Sequence, residues 1–393
     1  MRGGRKRVGF FSLCIGFLFD EPLVAFALSS RQRPFIEQRC VSFGKEKYTS
    51  SVQSQDLQHR ERKGVPPLLL IPPVGVGIDR NFFNRLHDEW KDLGAPAEMH
   101  APDLLGTGSS SPKPRRFYSP EVWAEQLESY ILEEVGVPCV LVVQGGLFPV
   151  ALELWRRQGR AAVAGVSCLS PPTLRFFASP EISQVPLIRR RAVSRFLWLI
   201  ANTPFGGWFY RRLRGPRRLP GERTRQFTER NLFAAAADEE WIANCVAGAR
   251  DTRNRFATFS YLIGSIPTGG AWRDDRGELF DSLDVPFQLL RSSFGGIQNA
   301  TARARPLLDR VPYDATPREG SSASCSVLVD GARQCLPWEQ PKIVARYLAK
   351  FLTQHFDSAP VPEDAPCDTA VTLLSTTKEA RSKPPTTPQS APY

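Results

Sequence analysis

Short apolar runs alternate with helical patterns through residues 64–356, and this alternation constrains the fold more than any other feature of the sequence. Each run is brief and mostly hydrophobic, which is typical of strands buried on both faces. The six predicted strands are 67–71, 98–101, 139–143, 163–169, 286–290 and 325–329. Strands separated by helices return in the same direction, so the pattern predicts an α/β fold with a mainly parallel sheet flanked by helices.

Three helices of this pattern carry start signals, which are Asp79, Ser119 followed by Pro120, and Pro341. Aspartate and serine accept hydrogen bonds from free N–H groups, and proline suits the first helical turn. Apolar residues spaced three and four apart then predict one inward face for each helix. These faces are Phe82, Phe83, Leu86, Trp90 and Leu93; Val122, Leu127, Tyr130 and Ile131; and Ile343, Val344, Tyr347, Leu348 and Phe351.

Residues 172–282 interrupt the alternation with helical, arginine-rich sequence, which predicts a helical lid inserted between two strands. The whole chain carries a formal charge of +11, and residues 189–225 alone contain 11 arginines and one acid, Glu222. Arginines that bracket apolar and aromatic residues are typical of an interfacial helix on an anionic membrane. The predicted contacts are Arg189, Arg190, Arg191, Arg195, Arg211 and Arg212. A solvated lid face or an acidic protein partner explains the same charge, whereas nucleic-acid binding does not suit this fold.

The first 60 residues have the composition of a targeting segment. A basic stretch at 2–7 precedes an apolar run at 8–19, which is too short to span a bilayer. Phe26 and an acid-poor, Ser/Arg-rich stretch follow. This layout resembles the bipartite presequences of complex plastids of red-algal origin, in which a signal peptide is cut before a phenylalanine and a transit peptide follows. A secreted protein and a mitochondrial presequence are the alternatives.

The eight cysteines form no Cys-x-x-Cys motif, and no histidine lies near any pair of them. This spacing argues against a zinc site and predicts reduced, buried thiols. A disulfide between Cys325 and Cys335 is the alternative. The sequence predicts no metal and no cofactor.

Five stretches along the chain have recognisable motifs, in the order LLLIPPVGVG (68–77), HAPDLLGTGSSSPKPRRFYS (100–119), VPCVLVVQGGLFPVALEL (137–154), DVPFQLLRSSFGG (284–296) and VLVDGARQCLPWEQPKIVARYLAKFL (327–352). Together they resemble the α/β-hydrolase fold superfamily of the AB hydrolase-1 type, in a branch similar to plastid and cyanobacterial proteins. The resemblance covers residues 64–356. It implies a core at 64–171 and 283–356 with a lid at 172–282. The composition of the flanking segments predicts a presequence at 1–60 and a disordered Pro/Ser/Thr-rich tail at 357–393.

The resemblance also implies a Ser-His-Asp triad, but all three positions are substituted in this chain. An ungapped alignment puts Gly145 at the serine position, and a shift in register puts Val143 there. Gln334 stands at the histidine position and Gly295 at the acid position; Ser170 occupies an alternative acid position. No Ser or Thr occurs from 130 to 166, and no His occurs from 101 to 354. Hydrolysis by this mechanism needs a nucleophile and a base that accepts its proton, and the substituted positions supply neither. Whether the chain is an enzyme is therefore uncertain.

We therefore expect a non-catalytic plastid protein that binds an apolar, carbonyl-bearing small molecule or a protein partner under the lid. The predicted ligand-binding residues are Val74, Gln144, Gly145, Gly146 and Gln334. Glycines that merely relieve a strained turn, beside solvated glutamines, are the simpler interpretation. Asp103 is expected to be structural. Two other functions stay open: an active hydrolase of lipid, ester or pigment that uses non-standard residues, and a structural interaction protein at an anionic membrane surface.

Overall fold

The fold is built around one eight-stranded sheet with the strand order β1-β2-β4-β3-β5-β6-β7-β8. The structure, a computed structural model, describes residues 36–43, 46–54, 64–94, 97–170, 196, 198–214, 221–265, 279, 282–292 and 324–356. The strands are β1 Ile36–Phe43, β2 Glu46–Ser54, β3 Leu68–Ile71, β4 Met99–Pro102, β5 Cys139–Gln144, β6 Val163–Leu169, β7 Phe287–Ser292 and β8 Ser324–Val329.

The six strands from β3 to β8 are parallel, and all six predicted strands are confirmed to within two residues at each end. Every residue of β3 and β5 is buried. A strand that is covered on both faces needs apolar side chains on both, which explains why these segments are continuously hydrophobic.

β1 and β2 form an antiparallel hairpin, and β2 pairs antiparallel with β4 at the sheet edge. No strand was predicted before residue 64, so the sheet begins earlier in the chain than expected. β2 reads EKYTSSVQS, which contains no apolar run, so it lacks the pattern of a buried strand. The processing of residues 1–60 stays a prediction, but the predicted segment overlaps a hairpin that belongs to the sheet.

Helices cover both faces of the sheet. The helices are α1 Asn84–Asp92, α2 Pro120–Tyr130, α3 Phe148–Gln158, α4 Pro204–Arg214, α5 Glu222–Asn231, α6 Glu239–Gly248, α7 Arg255–Ser265, α8 Leu336–Glu339 and α9 Pro341–His355. One core cluster joins a sheet face to Trp123 of α2 and Leu154 of α3, and the other joins the opposite face to Trp90 of α1 and Leu348 of α9. Of the predicted inward-facing residues, Leu93, Val122 and Tyr347 are only partly buried, and the rest are buried.

Among the described residues, α4 to α7 lie between β6 and β7 in the chain, within the stretch 172–282 for which a helical lid is predicted. We call residues 196–265 of this region the helical insertion. Arg189, Arg190, Arg191 and Arg195 lie outside the described residues. In the described part of the chain, no helix is long and apolar enough to cross a membrane. Cys139, Cys168, Cys245 and Cys335 are buried free thiols, so Cys335 is not paired with Cys325.

Candidate functional site

The chain turns sharply from β5 into α3 at Gly145, through a short 3-10 segment at Gly145–Leu147. Gly145 has φ +57°, a left-handed conformation that favours glycine. A Cβ atom built on Gly145 meets only the carbonyl oxygen of Ser170, at 4.0 Å. Val143, by contrast, is fully buried within β5. The structure therefore places Gly145, and not Val143, at the strand-to-helix turn, with open space where a side chain would start.

The structure brings together Gln144 and Gln334, two of the predicted ligand-binding residues. Nε2 of Gln144 donates a hydrogen bond to the main-chain oxygen of Gln334 at 2.5 Å. The hydroxyl of Ser170 donates to the neighbouring carbonyl, that of Arg333, at 3.4 Å. The N–H of Gln334 donates to the carbonyl of Leu232 at 2.8 Å. The loop after β8 is thus tied to the ends of β5 and β6 and to the helical insertion.

Two buried polar atoms of this pair have no hydrogen-bond partner in the described part of the chain: Oε1 of Gln144 and Nε2 of Gln334. Gln144 is 3% exposed, so this side chain is not solvated. Its amide orientation follows from its contact, because only the NH₂ group can donate to the Gln334 carbonyl. A buried polar atom left unpaired costs about 1–3 kcal/mol, so the pair offers one acceptor and one donor to a ligand.

Ser170 lies beside this turn, directly after β6, and was predicted only as the occupant of an alternative acid position. It is 1% exposed. Among the described residues it is the only non-glycine residue with positive φ, at +42°. Strained backbone conformations of this kind concentrate at functional sites. A serine followed by proline at a strand end carries no sequence signal for this conformation.

Val74 and Gly146, the other predicted ligand-binding residues, have different surroundings. Val74 follows β3 and packs in the same core cluster as Leu147 and Phe148. Gly146 lies inside the 3-10 segment after Gly145. Gly295, at the predicted acid position, lies outside the described residues.

The described histidines lie on other elements. His87 is buried on α1, and burial, with a smaller contribution from the charge of Lys91, lowers its pKa to about 4. His355 is the last residue of α9. His100, in β4, accepts or donates a hydrogen bond at Nδ1 with the hydroxyl of Tyr130 at 2.9 Å.

A cavity of about 790 Å³ lies at the opposite edge of the sheet, where His100 lines it together with Pro67 and Pro138, which precede β3 and β5. Phe356, which follows His355, also lines this cavity. His100 and the end of α9 therefore lie at the amino-terminal edge of the parallel strands, whereas Gly145 lies at the carboxyl-terminal edge.

Asp103 has a structural role in the loop after β4. Its carboxylate accepts hydrogen bonds from the N–H of Arg80 at 3.1 Å, from the N–H of Ser109 at 2.8 Å and from the Arg80 guanidinium. Gly108 has φ +48°, and a Cβ there would lie 2.3 Å from this carboxylate. The motif therefore encodes a glycine loop wrapped around a buried carboxylate. No group of three or more His, Cys, Asp or Glu side chains that suits a metal ion occurs among the described residues.

No known protein-family model matches this chain, and no curated protein matches it either. Solved structures do match. A thermophilic esterase from Thermogutta terrifontis is 19% identical with a TM-score of 0.51, over 81% of this chain and 99% of that chain. A serine hydrolase involved in carbazole degradation is 13% identical with a TM-score of 0.54, over 81% and 100%. Proline iminopeptidase from Mycobacterium smegmatis is 15% identical with a TM-score of 0.51, over 81% and 98%.

At sequence identities this low, the similarity shows a shared fold and does not show a shared activity. These proteins share the parallel sheet flanked by helices, and the chain spans nearly their whole length. With the strand order of the sheet and the sharp turn at Gly145 between β5 and α3, they show that the chain is an α/β-hydrolase-fold protein.

Proposed function

We propose that this protein binds an apolar, carbonyl-bearing ligand at the turn after β5 and does not hydrolyse it. The observation that carries the proposal is Gly145, which stands at the turn where the fold family places its nucleophile. Acyl transfer at this turn requires a hydroxyl or thiol together with a base that accepts its proton. Glycine supplies no nucleophile.

The position of the base supports the same proposal. Gln334 is an amide, which neither takes up nor releases a proton near neutral pH. The main-chain carbonyls of Arg333 and Gln334 accept hydrogen bonds from Ser170 and Gln144. The loop that would carry a catalytic histidine is thus hydrogen-bonded to the carboxyl-terminal ends of β5 and β6.

The ligand chemistry follows from the two unpaired amide atoms. Nε2 of Gln334 can donate to a ligand carbonyl, and Oε1 of Gln144 can accept from a ligand N–H or O–H group. The buried side chains of Val74, Leu147 and Phe148 make the neighbouring core apolar. An apolar molecule that carries a carbonyl therefore suits the site.

The test measures turnover and bound ligand on the same protein preparation. We expect no hydrolysis of p-nitrophenyl butyrate above buffer. The protein is purified in its folded state and then denatured, and mass spectrometry of the released small molecules should identify a carbonyl compound. The Gln144→Ala/Gln334→Ala variant should no longer carry this compound. The matched control, Gln158→Ala, changes a glutamine at the far end of α3 and should keep the compound. Robust turnover by the unmodified protein that persists in the double variant would contradict the proposal.

An active hydrolase that uses non-standard residues is the second candidate. The strained, buried Ser170 beside Gly145 favours it, because a hydroxyl lies next to the turn. The esterase, the serine hydrolase and the peptidase that share the fold also raise this possibility. Labelling by a fluorophosphonate probe that disappears in Ser170→Ala would establish this candidate, and absence of labelling would exclude a reactive serine.

We propose further that the protein resides in a plastid, on the basis of the two-part composition of residues 1–60. A fluorescent protein fused behind these residues should enter the plastid, and Phe26→Ala should leave it outside. Import that is unaffected by Phe26→Ala would argue against the bipartite presequence.

A further inference from the structure

Exposed apolar side chains are concentrated on the helical insertion. The described residues include eight large hydrophobic side chains that are exposed, and six of them belong to this region. The six are Phe196, Leu199, Phe205, Trp208, Phe227 and Leu262. Single exposed hydrophobic residues are ordinary, but a concentration on one part of a protein marks an interaction surface.

α4 carries the aromatic part of this surface on its outward face. Phe205 is 54% exposed, Trp208 is 40% exposed, and Arg211 is exposed at the next position of the same stripe. Residues three apart lie on one side of a helix. The opposite side of α4 is buried and includes Gly206 and Tyr210. α4 thus turns aromatic rings toward solvent, unlike an ordinary surface helix.

The buried side fixes α4 in this orientation. A Cβ atom on Gly206 would lie 2.5 Å from the carbonyl oxygen of Ile200, so backbone packs directly against backbone here. The hydroxyl of Tyr210 accepts a hydrogen bond from the N–H of Gly77 at 3.3 Å, and Nε of Arg214 donates to the carbonyl of Val76 at 3.0 Å. Rotating the rings inward would break these buried contacts.

The aromatic rings form a row that continues onto the next helix. The ring centroids of Phe205 and Trp208 are 5.4 Å apart, those of Phe205 and Phe209 are 6.2 Å apart, and those of Phe209 and Phe259 are 6.4 Å apart. Leu262 lies one turn beyond Phe259 on α7 and is 42% exposed. The exposed apolar surface therefore extends across two packed helices.

The stretch of chain that contains α4 is strongly basic, and acidic residues begin again only at Glu222, at the start of α5. Residues 182–221 contain nine arginines and no aspartate or glutamate, and Arg211 and Arg212 continue directly from the aromatic stripe of α4. We propose that α4 docks on a bilayer of anionic phospholipid, with Phe205 and Trp208 inserted between acyl chains and Arg211 and Arg212 on headgroup phosphates. A bilayer receives both features at once, because apolar chains lie directly beneath a layer of negative charge.

The test uses the full chain in co-sedimentation with vesicles. We expect binding to phosphatidylcholine mixed with phosphatidylglycerol, little binding to phosphatidylcholine alone, and weakening with added salt. Phe205→Ser/Trp208→Ser should lower the affinity at least about tenfold, because two large rings no longer leave water. Arg211→Ala/Arg212→Ala should lower it about fivefold for each arginine.

Two matched variants control for general effects of losing apolar surface or positive charge. Leu132→Ser/Val137→Ser removes the two exposed large apolar side chains that the described residues have outside the helical insertion, and Arg156→Ala/Arg157→Ala removes two arginines from α3. Both should bind like the unmodified protein. Equal binding to neutral and anionic vesicles, or binding to neither, would overturn the proposal. In the second case the surface would belong to a protein partner.

The fluorescence of Trp208 reports whether α4 enters the bilayer, and Trp208→Phe is the control because it keeps an apolar aromatic side chain at this position. Lipids brominated on their acyl chains should quench part of the fluorescence of the bound protein, and Trp208→Phe should bind normally but lose that quenching. Quenching that is unchanged in Trp208→Phe would show that α4 does not enter the bilayer and would overturn the proposal.

Discussion

Gly145 combines two properties that decide what this turn can do. Its φ of +57° strains any residue with a side chain, yet the space beside it is open to 4.0 Å. A left-handed conformation costs a non-glycine residue about 1–2 kcal/mol. A nucleophilic side chain could therefore be introduced at this position at a modest cost in stability, because no neighbouring atom blocks it.

Restoring the triad tests this argument. Gly145→Ser alone should give no esterase turnover because the chain has no histidine at position 334 to act as base. Gly145→Ser/Gln334→His/Gly295→Asp should give weak turnover of p-nitrophenyl butyrate. Gly145→Ala in place of Gly145→Ser provides the control, since it carries the same backbone strain without a hydroxyl. Equal turnover by both triple variants would show that the activity does not arise at this turn.

His87 makes a separate prediction about pH. Burial lowers its pKa from 6.5 to about 4, so the unfolded chain takes up a proton over that range while the folded protein does not. The stability that neutral His87 contributes is fully present above pH 6.5 and is lost as the pH falls toward 4.

When the pH is lowered from 7 to about 5, we expect the free energy of unfolding to fall on the order of 2 kcal/mol further in the unmodified protein than in His87→Leu. The free energy of unfolding, measured in urea at both pH values, checks this difference. His355→Leu is the control: burial also lowers the pKa of His355, but that side chain is only half-buried, so its effect should be smaller. An identical pH dependence in His87→Leu and the unmodified protein would refute the assignment.

At the scale of elements, the loop after β4 depends on a buried ion pair. Arg80 is 4% exposed and Asp103 is fully buried. Asp103 also accepts hydrogen bonds from the N–H groups of Arg80 and Ser109, so one carboxylate joins the 3-10 turn before α1 to the glycine loop. Removing one partner of such a pair leaves a buried charge without compensation.

Asp103→Ala should therefore lower the free energy of unfolding by about 3–5 kcal/mol. Asp103→Asn, which keeps an acceptor oxygen, should lower the free energy of unfolding by less than Asp103→Ala does. Asp88→Ala on the exposed face of α1 should change stability by no more than about 0.5 kcal/mol. Thermal and urea unfolding measure all three. A loss in Asp103→Ala no larger than that in Asp88→Ala would contradict the structural role of this carboxylate.

At the scale of the whole molecule, the hairpin β1–β2 closes one edge of the sheet. β2 pairs with β4 through Val52, Gln53 and Ser54, so the edge of β4 is covered by chain that the sequence analysis assigned to a presequence. An uncovered strand edge presents free N–H and C=O groups that pair readily with other chains.

A chain that starts at residue 36 should therefore keep the melting temperature and the monodisperse behaviour of the full chain. A chain that starts at residue 55 should melt lower and aggregate because β4 becomes the edge strand. Light scattering and calorimetry on the two truncations separate these outcomes. If both truncations behave alike, the hairpin contributes nothing to the folded core, and the presequence can extend to residue 60.

Much of the fold was predictable because strand burial leaves a local mark in the sequence. β3 to β8 appear as mostly apolar runs, since each must cover two faces, and α1 appears through its buried Leu86 and Trp90. Asp79 caps the 3-10 turn at Arg80–Phe83 that precedes this helix. β1 and β2 were missed because neither contains a continuous apolar run, and an edge hairpin leaves no such mark. The turn at Gly145 was predictable for the same local reason, because a buried strand ends there in two glycines.

The sequence by itself determined the strand and helix periods, the glycine at the turn, and the absence of histidine from residues 101–354. Only the tertiary structure decided which distant groups meet. It joins Gln144 to Gln334 across 190 residues, strains Ser170 beside Gly145, and turns Phe205 and Trp208 outward while Tyr210 is buried. Hydrophobic period and turn chemistry act over a few neighbouring residues, whereas these contacts depend on how the ends of β5, β6 and β8 and the helices between them pack together.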